Sequence, residues 1–282
     1  MINLELSNGI LIPNRDYISP ISIQEGVRDI RLIENSLLLE SGTIKGFIKI
    51  FKDIMEKILG MIKEFINKIK GYTTPKLVYI EKNKKAILEF NENSPAYTAE
   101  ISIPINMLSS NYSVIEFNNI VNTWMSKAYV ALENKDPKYD LYDDNSTKIA
   151  HKILFEFTKI KTTKMTDEKI LNHLYGYSST TTIGELDIRK VYDTFHQMHN
   201  NINNLDSIRK NLNETLTKTQ VELEKQQTEV ILNKQEFNDI SLRYVISVYQ
   251  GIMTALDFYV KSEIKIYNIL YSILEKIINV SK

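Results

Sequence analysis

From residue 185 to residue 282 the chain holds no proline and a single glycine, Gly251, whereas all six prolines (Pro13, Pro20, Pro75, Pro95, Pro104, Pro137) lie in the first half. Proline and glycine are the residues that interrupt helices, so this stretch is free to form long ones. Its apolar spacing agrees. Ile188, Phe195, Ile202, Leu216 and Leu223 recur at one heptad position, and Val191, Met198, Leu205 and Leu212 at the other. Only Arg209 and Thr219 break this seam, which is the pattern of helices that wrap around one another. A polar run, EKQQTE (224–229), interrupts it, and apolar spacing resumes at Phe237, Ile240, Tyr244, Val245, Val248 and Ile252. Two helical stretches of similar length predict an antiparallel hairpin turning near 228–236. One unbroken helix is the alternative, on the order of 140 Å long.

The second clear feature is residues 43–70, TIKGFIKIFKDIMEKILGMIKEFINKIK. Phe47, Phe51, Ile54, Ile58, Ile62 and Phe65 belong to a wide apolar stripe at helical spacing, flanked by seven lysines against three acids. Thr43 is placed to cap the start and Gly71 the end. Such a stripe suits core packing, docking on a partner, or insertion at a membrane surface.

Between these features the runs KLVYI (76–80), AILEF (86–90) and YTAEISIPI (97–105) read as strands of a small antiparallel meander. Helices are expected over about 111–135, 146–161 and 166–176, and SSTTTIG (178–184) reads as a linker. The fold class predicted is therefore mainly α with a small antiparallel β-meander and a long C-terminal helical hairpin or coiled coil. Four parts are expected: a leader-like segment (1–40), the basic amphipathic helix (41–71), the meander with its helices (72–180) and the hairpin (185–282).

Chemistry is sparse. The chain has no cysteine, which removes disulfides, thiol catalysis and cysteine-bound metals. The 35 basic residues balance the 35 acidic ones, which argues against nucleic-acid binding by bulk charge. At 43% apolar residues the chain is no disordered polymer. The start has no basic opening and carries Glu5, so it is not a secretory signal, and no run of uncharged apolar residues is long enough to span a bilayer. His196 and His199, with Asp193 one turn before, can share a helix face, but no further ligand stands at a recognisable spacing, so interfacial or solvent-facing histidines are expected. Asp140, Asp143, Asp144 and Asn145 form an oxygen-rich loop without the glycine and closing glutamate of a calcium loop. The tyrosines at 244, 249, 259, 267 and 271 are expected to line helix contacts with their hydroxyls at the rim. No phosphate loop, dinucleotide glycine motif or nucleophile elbow is present. No enzyme, cofactor or metal is expected.

Residues 1–40 carry six acids and three arginines, and the basic helix follows at once. Their junction reads LLLE–SG, with Leu38, Glu40 and Ser41 at its centre. It resembles the sites at which maturation proteases of tailed bacteriophages cut internal head proteins. Those sites have an aliphatic residue two before a glutamate and a small residue after it. The resemblance implies a non-enzymatic structural or packaged protein of a virion, with a leader removed after Glu40. It implies a maturation protease and other virion proteins as partners, with DNA contact open. The seam at Ile188, Val191, Phe195, Met198, Ile202, Leu205, Leu212 and Leu216 is expected to join copies into a homo-oligomer. The location expected is the virion, otherwise the host cytoplasm. The alternatives are a membrane-active helical protein using residues 43–70, and a cytosolic coiled-coil adaptor.

Overall fold

A computed structural model describes residues 6–7, 10–11, 44–109, 113–134, 145–159, 167–233 and 239–280. Among these, two short strands, β1 (Leu6–Ser7) and β2 (Ile10–Leu11), pair antiparallel. The chain continues with α1 (Ile44–Lys82), α2 (Lys84–Leu88), β3 (Glu100–Pro104), α3 (Val114–Glu133), α4 (Ser146–Thr158), α5 (Asp167–Tyr175) and β4 (Ser178–Thr182). It ends with α6 (Ile188–Asn203), α7 (Leu205–Asn233) and α8 (Asp239–Val280). No helix among the described residues is long and apolar enough to cross a membrane.

Local sequence explains several helix ends. Ser113, Asn145 and Asp187 cap α3, α4 and α6, accepting hydrogen bonds from the backbone N–H of Ile115, Lys148 and Lys190 at 3.0–3.1 Å. Helix α5 stops at Gly176, whose φ of 80° suits glycine, and a β-carbon there would strike the Ile105 side chain at 2.5 Å.

The architecture is mainly α with a small antiparallel sheet, as the sequence predicts, but the strands differ. KLVYI (76–80) continues α1 straight through Pro75, and the start of AILEF (86–90) lies in α2. Of the three meander strands only the third forms, as β3. Its partner is β4, the SSTTT stretch read as a linker, in a register running from Glu100↔Thr182 to Pro104↔Ser178. Helical context wins at 76–80 because Tyr72, Lys76 and Tyr79, at i, i+4 and i+7, all face α8. Tyr72 donates to Asn268 Oδ1 at 2.9 Å, and Tyr79 to Asn279 Oδ1 at 3.2 Å.

Helix α8 is the hub. Runs such as Tyr244–Val245–Ile246 and Val248 to Met253 are buried without a break, and over its middle only a narrow stripe (Arg243, Ser247, Thr254, Phe258, Lys261, Lys265) stays half-buried. A helix buried over most of its circumference belongs inside a bundle. Phe117 of α3 stacks on Tyr259 at 4.7 Å between ring centres, and Phe157 of α4 meets both rings edge-on at 5.4 Å. Phe195 of α6 stacks on Tyr267 at 4.5 Å. The Tyr267 hydroxyl donates to the Thr73 carbonyl of α1 at 2.8 Å.

Along the last three helices Phe195 meets Tyr267, Asn201 meets Glu263 and Thr219 meets Tyr249. One number rises as the other falls, so α6–α7 and α8 run antiparallel. Of these two limbs, α6 packs on α8 whereas α7 packs mainly on α1 and α3, and residues 234–238 of the connection lie outside the described ones. Helix α7 also lies along α1, through Lys52–Glu224 at 2.8 Å and the Lys70–Asp206 ion pair.

Candidate functional site

An open polar groove runs between the C-terminal part of α1 and α6, lined by Leu77, Glu81, Lys84, Tyr192, Asp193, His196, Gln197, Asn200 and Asn201. The i, i+4 spacing of Tyr192 and His196 puts both rings on the α1 side, 4.5 Å apart. There Glu81 takes both. His196 Nε2 lies 2.7 Å from Glu81 Oε1, and the Tyr192 hydroxyl donates to the same oxygen. Burial, then the bond to Glu81, pushes the Tyr192 phenol well above its ordinary range, so it stays a donor. Lys84 lies 5.2 Å from the centre of the Tyr192 ring.

Asn201 links this groove to the interior, because its side chain also hydrogen-bonds Glu263 on α8. Glu263 is 1% exposed, and the Tyr175 hydroxyl donates to its Oε1. Burial raises the carboxyl to about pH 7, while the bonds from Tyr175 and Asn201 pull the other way. One turn earlier, Tyr259 is also buried, and its hydroxyl has no hydrogen-bond partner among the described residues. Burial and then the Glu263 charge push that phenol far up. A second buried acid, Asp257, pairs within α8 with Lys261 at 2.8 Å.

A third polar cluster pins α1 to α8. Lys76 donates to Tyr72 Oη and Asn268 Oδ1, both at 2.7 Å, and lies 4.0 Å and 4.8 Å from the ring centres of Tyr72 and Tyr271. Burial lowers its ammonium from 10.5 to about 8, with Glu275 acting against that shift.

The sequence candidates fall as follows. Phe51, Ile54, Ile58, Ile62 and Phe65 are all core residues, at most 4% exposed, so the stripe of α1 packs inside its own chain and is no free contact face. The side chain of Phe47 lies outside the described residues, as do Leu38, Glu40, Ser41 and the loop from Asp140 to Asp144. The seam residues Val191, Phe195, Met198, Ile202, Leu205, Leu212 and Leu216 are buried within this one chain, and Ile188 packs against the same core. The surface expected to join copies is thus internal. The reason is that α1, α3 and α8 from the same chain reach the seam first. His196 and His199 part company. His196 turns to Glu81, and His199 is 5% exposed with its ring beside Tyr267. Burial, then the His196 charge, holds His199 toward its neutral form. Tyr244, Tyr249, Tyr259 and Tyr267 are wholly inside rather than at a rim.

Sequence reading missed Glu81, Lys76, Asp257 and Glu263. For the last two a signal existed: each is a lone acid within the long apolar pattern of residues 244–278. An acid at such a position is either paired or neutral. Compared with family models, with curated proteins and with solved structures, the chain matches none.

Proposed function

We propose that this chain is a non-enzymatic structural or packaged protein of a bacteriophage particle, made as a precursor whose leader ends at Glu40. The observation that carries this reading is that every residue of the described core lies beyond the cut. Helix α1 is described from Ile44, three residues beyond Ser41, and the described core runs from Ile48 to Ile278. A cut after Glu40 therefore removes none of the described core. It takes away β1 and β2, the latter lying against β3, and leaves the helices with the lysines of α1 (Lys49, Lys63 and Lys68) on their surface. That basic surface suits capsid proteins, packaged DNA or a second copy. The groove histidine supports a structural role too, because its Nε2 is engaged by Glu81.

The test is the N-terminal sequence and intact mass of the protein from mature particles. A start at Ser41 is the expected result. A full-length mass overturns the leader reading.

A second reading, membrane activity, is favoured by the long run of buried apolar residues on α8. Its apolar surface becomes available to lipid only if α1 and its neighbours separate from it. Flotation with anionic vesicles tests this reading, and a chain that stays with the soluble fraction removes it.

A further inference from the structure

We infer that Glu263 makes the bundle a pH-sensitive assembly, with α8 held firmly while this carboxyl is protonated and loosened when it ionises. The argument is geometric. Glu263 sits on the central helix, fully inside, where a charge without a cation is costly. Its described partners, the Tyr175 hydroxyl from α5 and the Asn201 amide from α6, are neutral. Tyr259 and Tyr267, a turn to either side on α8, are phenols pushed up by burial and stay neutral as well.

Among the described residues, no side chain of the other packed elements forms an ion pair with Glu263, and His173 of α5 lies instead 3.1 Å from the Thr158 carbonyl oxygen. Helices α3 and α4 present Phe117 and Phe157 at Tyr259. Helix α1 presents the Thr73 carbonyl at Tyr267, and its Lys76 is engaged beyond it with Tyr72, Asn268 and Tyr271. On α6, His199 meets Tyr267 and is held toward neutrality. The lysines of α2, Lys84 and Lys85, are exposed.

Asn201 supplies what a working titration needs, a route to solvent. It lines the open groove and bonds the carboxyl at once. Groove charges (Glu81, Asp193, His196, Lys84) lie on the far side of it.

The sign follows from linkage. The folded chain holds this proton up to about pH 7, whereas an unfolded chain releases it near 4.5. Between those values the native state binds more protons, so stability falls as pH rises and levels off above about 7. This inference stands apart from the leader reading and needs only the purified full chain.

Urea unfolding of the wild type and of Glu263→Gln from pH 4.5 to 8.5 tests it. The glutamine keeps an acceptor for Tyr175 and does not ionise. The wild-type folding constant, taken relative to the variant's, is expected to fall roughly a hundredfold or more across the window. Tyr175→Phe removes a donor that favours the ionised form, so it moves the fall to higher pH. It serves as the second measurement if Glu263→Gln does not fold. Amide exchange along α8, corrected for intrinsic rate, is expected to quicken between pH 4.5 and 7 and to level off above it, in the wild type alone. Parallel pH profiles for wild type and variant, or an unmoved profile for Tyr175→Phe, overturn the inference.

Discussion

Gly251 of α8 faces Ile149 of α4 so closely that a β-carbon at 251 would lie 2.6 Å from Ile149 Cγ2 and 3.0 Å from the Ser146 carbonyl oxygen. The one glycine beyond residue 185 therefore marks a close approach to the central helix rather than a turn. Gly251→Ala is expected to destabilise the bundle by about 1–3 kcal/mol through overpacking, read by urea unfolding. Gly60→Ala on α1 is the contrast. It is an exposed position with nothing within 4 Å of the new carbon, so a gain of about 0.5–1 kcal/mol is expected.

Lys76 gives a pH dependence opposite to that of Glu263. Its folded ammonium titrates near 8 against 10.5 for an ordinary lysine. Between those values the unfolded chain binds more protons, so this group's contribution to stability grows with rising pH. Lys76→Met should abolish that component of the slope. Urea midpoints at pH 8 and pH 10 for both proteins measure it, and equal slopes would count against the assignment.

Phe51 is a core residue on what looks from sequence like a surface-seeking helix. Phe51→Ala is expected to cost about 3–5 kcal/mol, and Phe51→Glu more, because the new charge has no partner. Lys49→Glu, two residues away and exposed, should stay within about 0.5 kcal/mol. Thermal unfolding of the three variants in lipid-free buffer distinguishes burial from membrane contact.

Gln226 lies in the polar run that interrupts the heptads, yet it is 3% exposed. Its amide donates to the Leu132 carbonyl at the end of α3 at 2.7 Å and to Glu222 Oε1 at 3.1 Å. Gln226→Ala leaves both acceptors short of a donor in a buried place, at a cost of about 1–3 kcal/mol by chemical denaturation.

These residues show what the sequence makes legible. Spacing alone finds α1 and the α6–α7 and α8 limbs, because periods of 3.6 and 3.5 persist over many turns. It cannot say what a stripe packs against, and so it offers Phe51 and Val191 to outside partners when the chain's own core takes both. The five residues KLVYI are too short to separate strand from helix. The deciding evidence is the contact of Tyr72, Lys76 and Tyr79 with α8, which no local window contains. The pairing of Ile101 with Thr181 likewise joins segments far apart in the chain. Of the candidate site, His196 is visible beforehand as a titratable residue, but Glu81 and Asn201 acquire meaning only once α1 and α6 lie side by side.

The position of α8 bears on how the protein is made. Synthesis runs from the N-terminus, and every other described helix precedes the one on which α1, α3, α4, α5 and α6 all pack. Until the segment beyond Asp239 emerges from the ribosome, α1 and α3 can pack on α7, but the faces turned to α8 stay uncovered. The nascent chain is then at its stickiest just before completion. A shortened product ending ahead of Asp239 would be expected to aggregate rather than to fold as a smaller bundle.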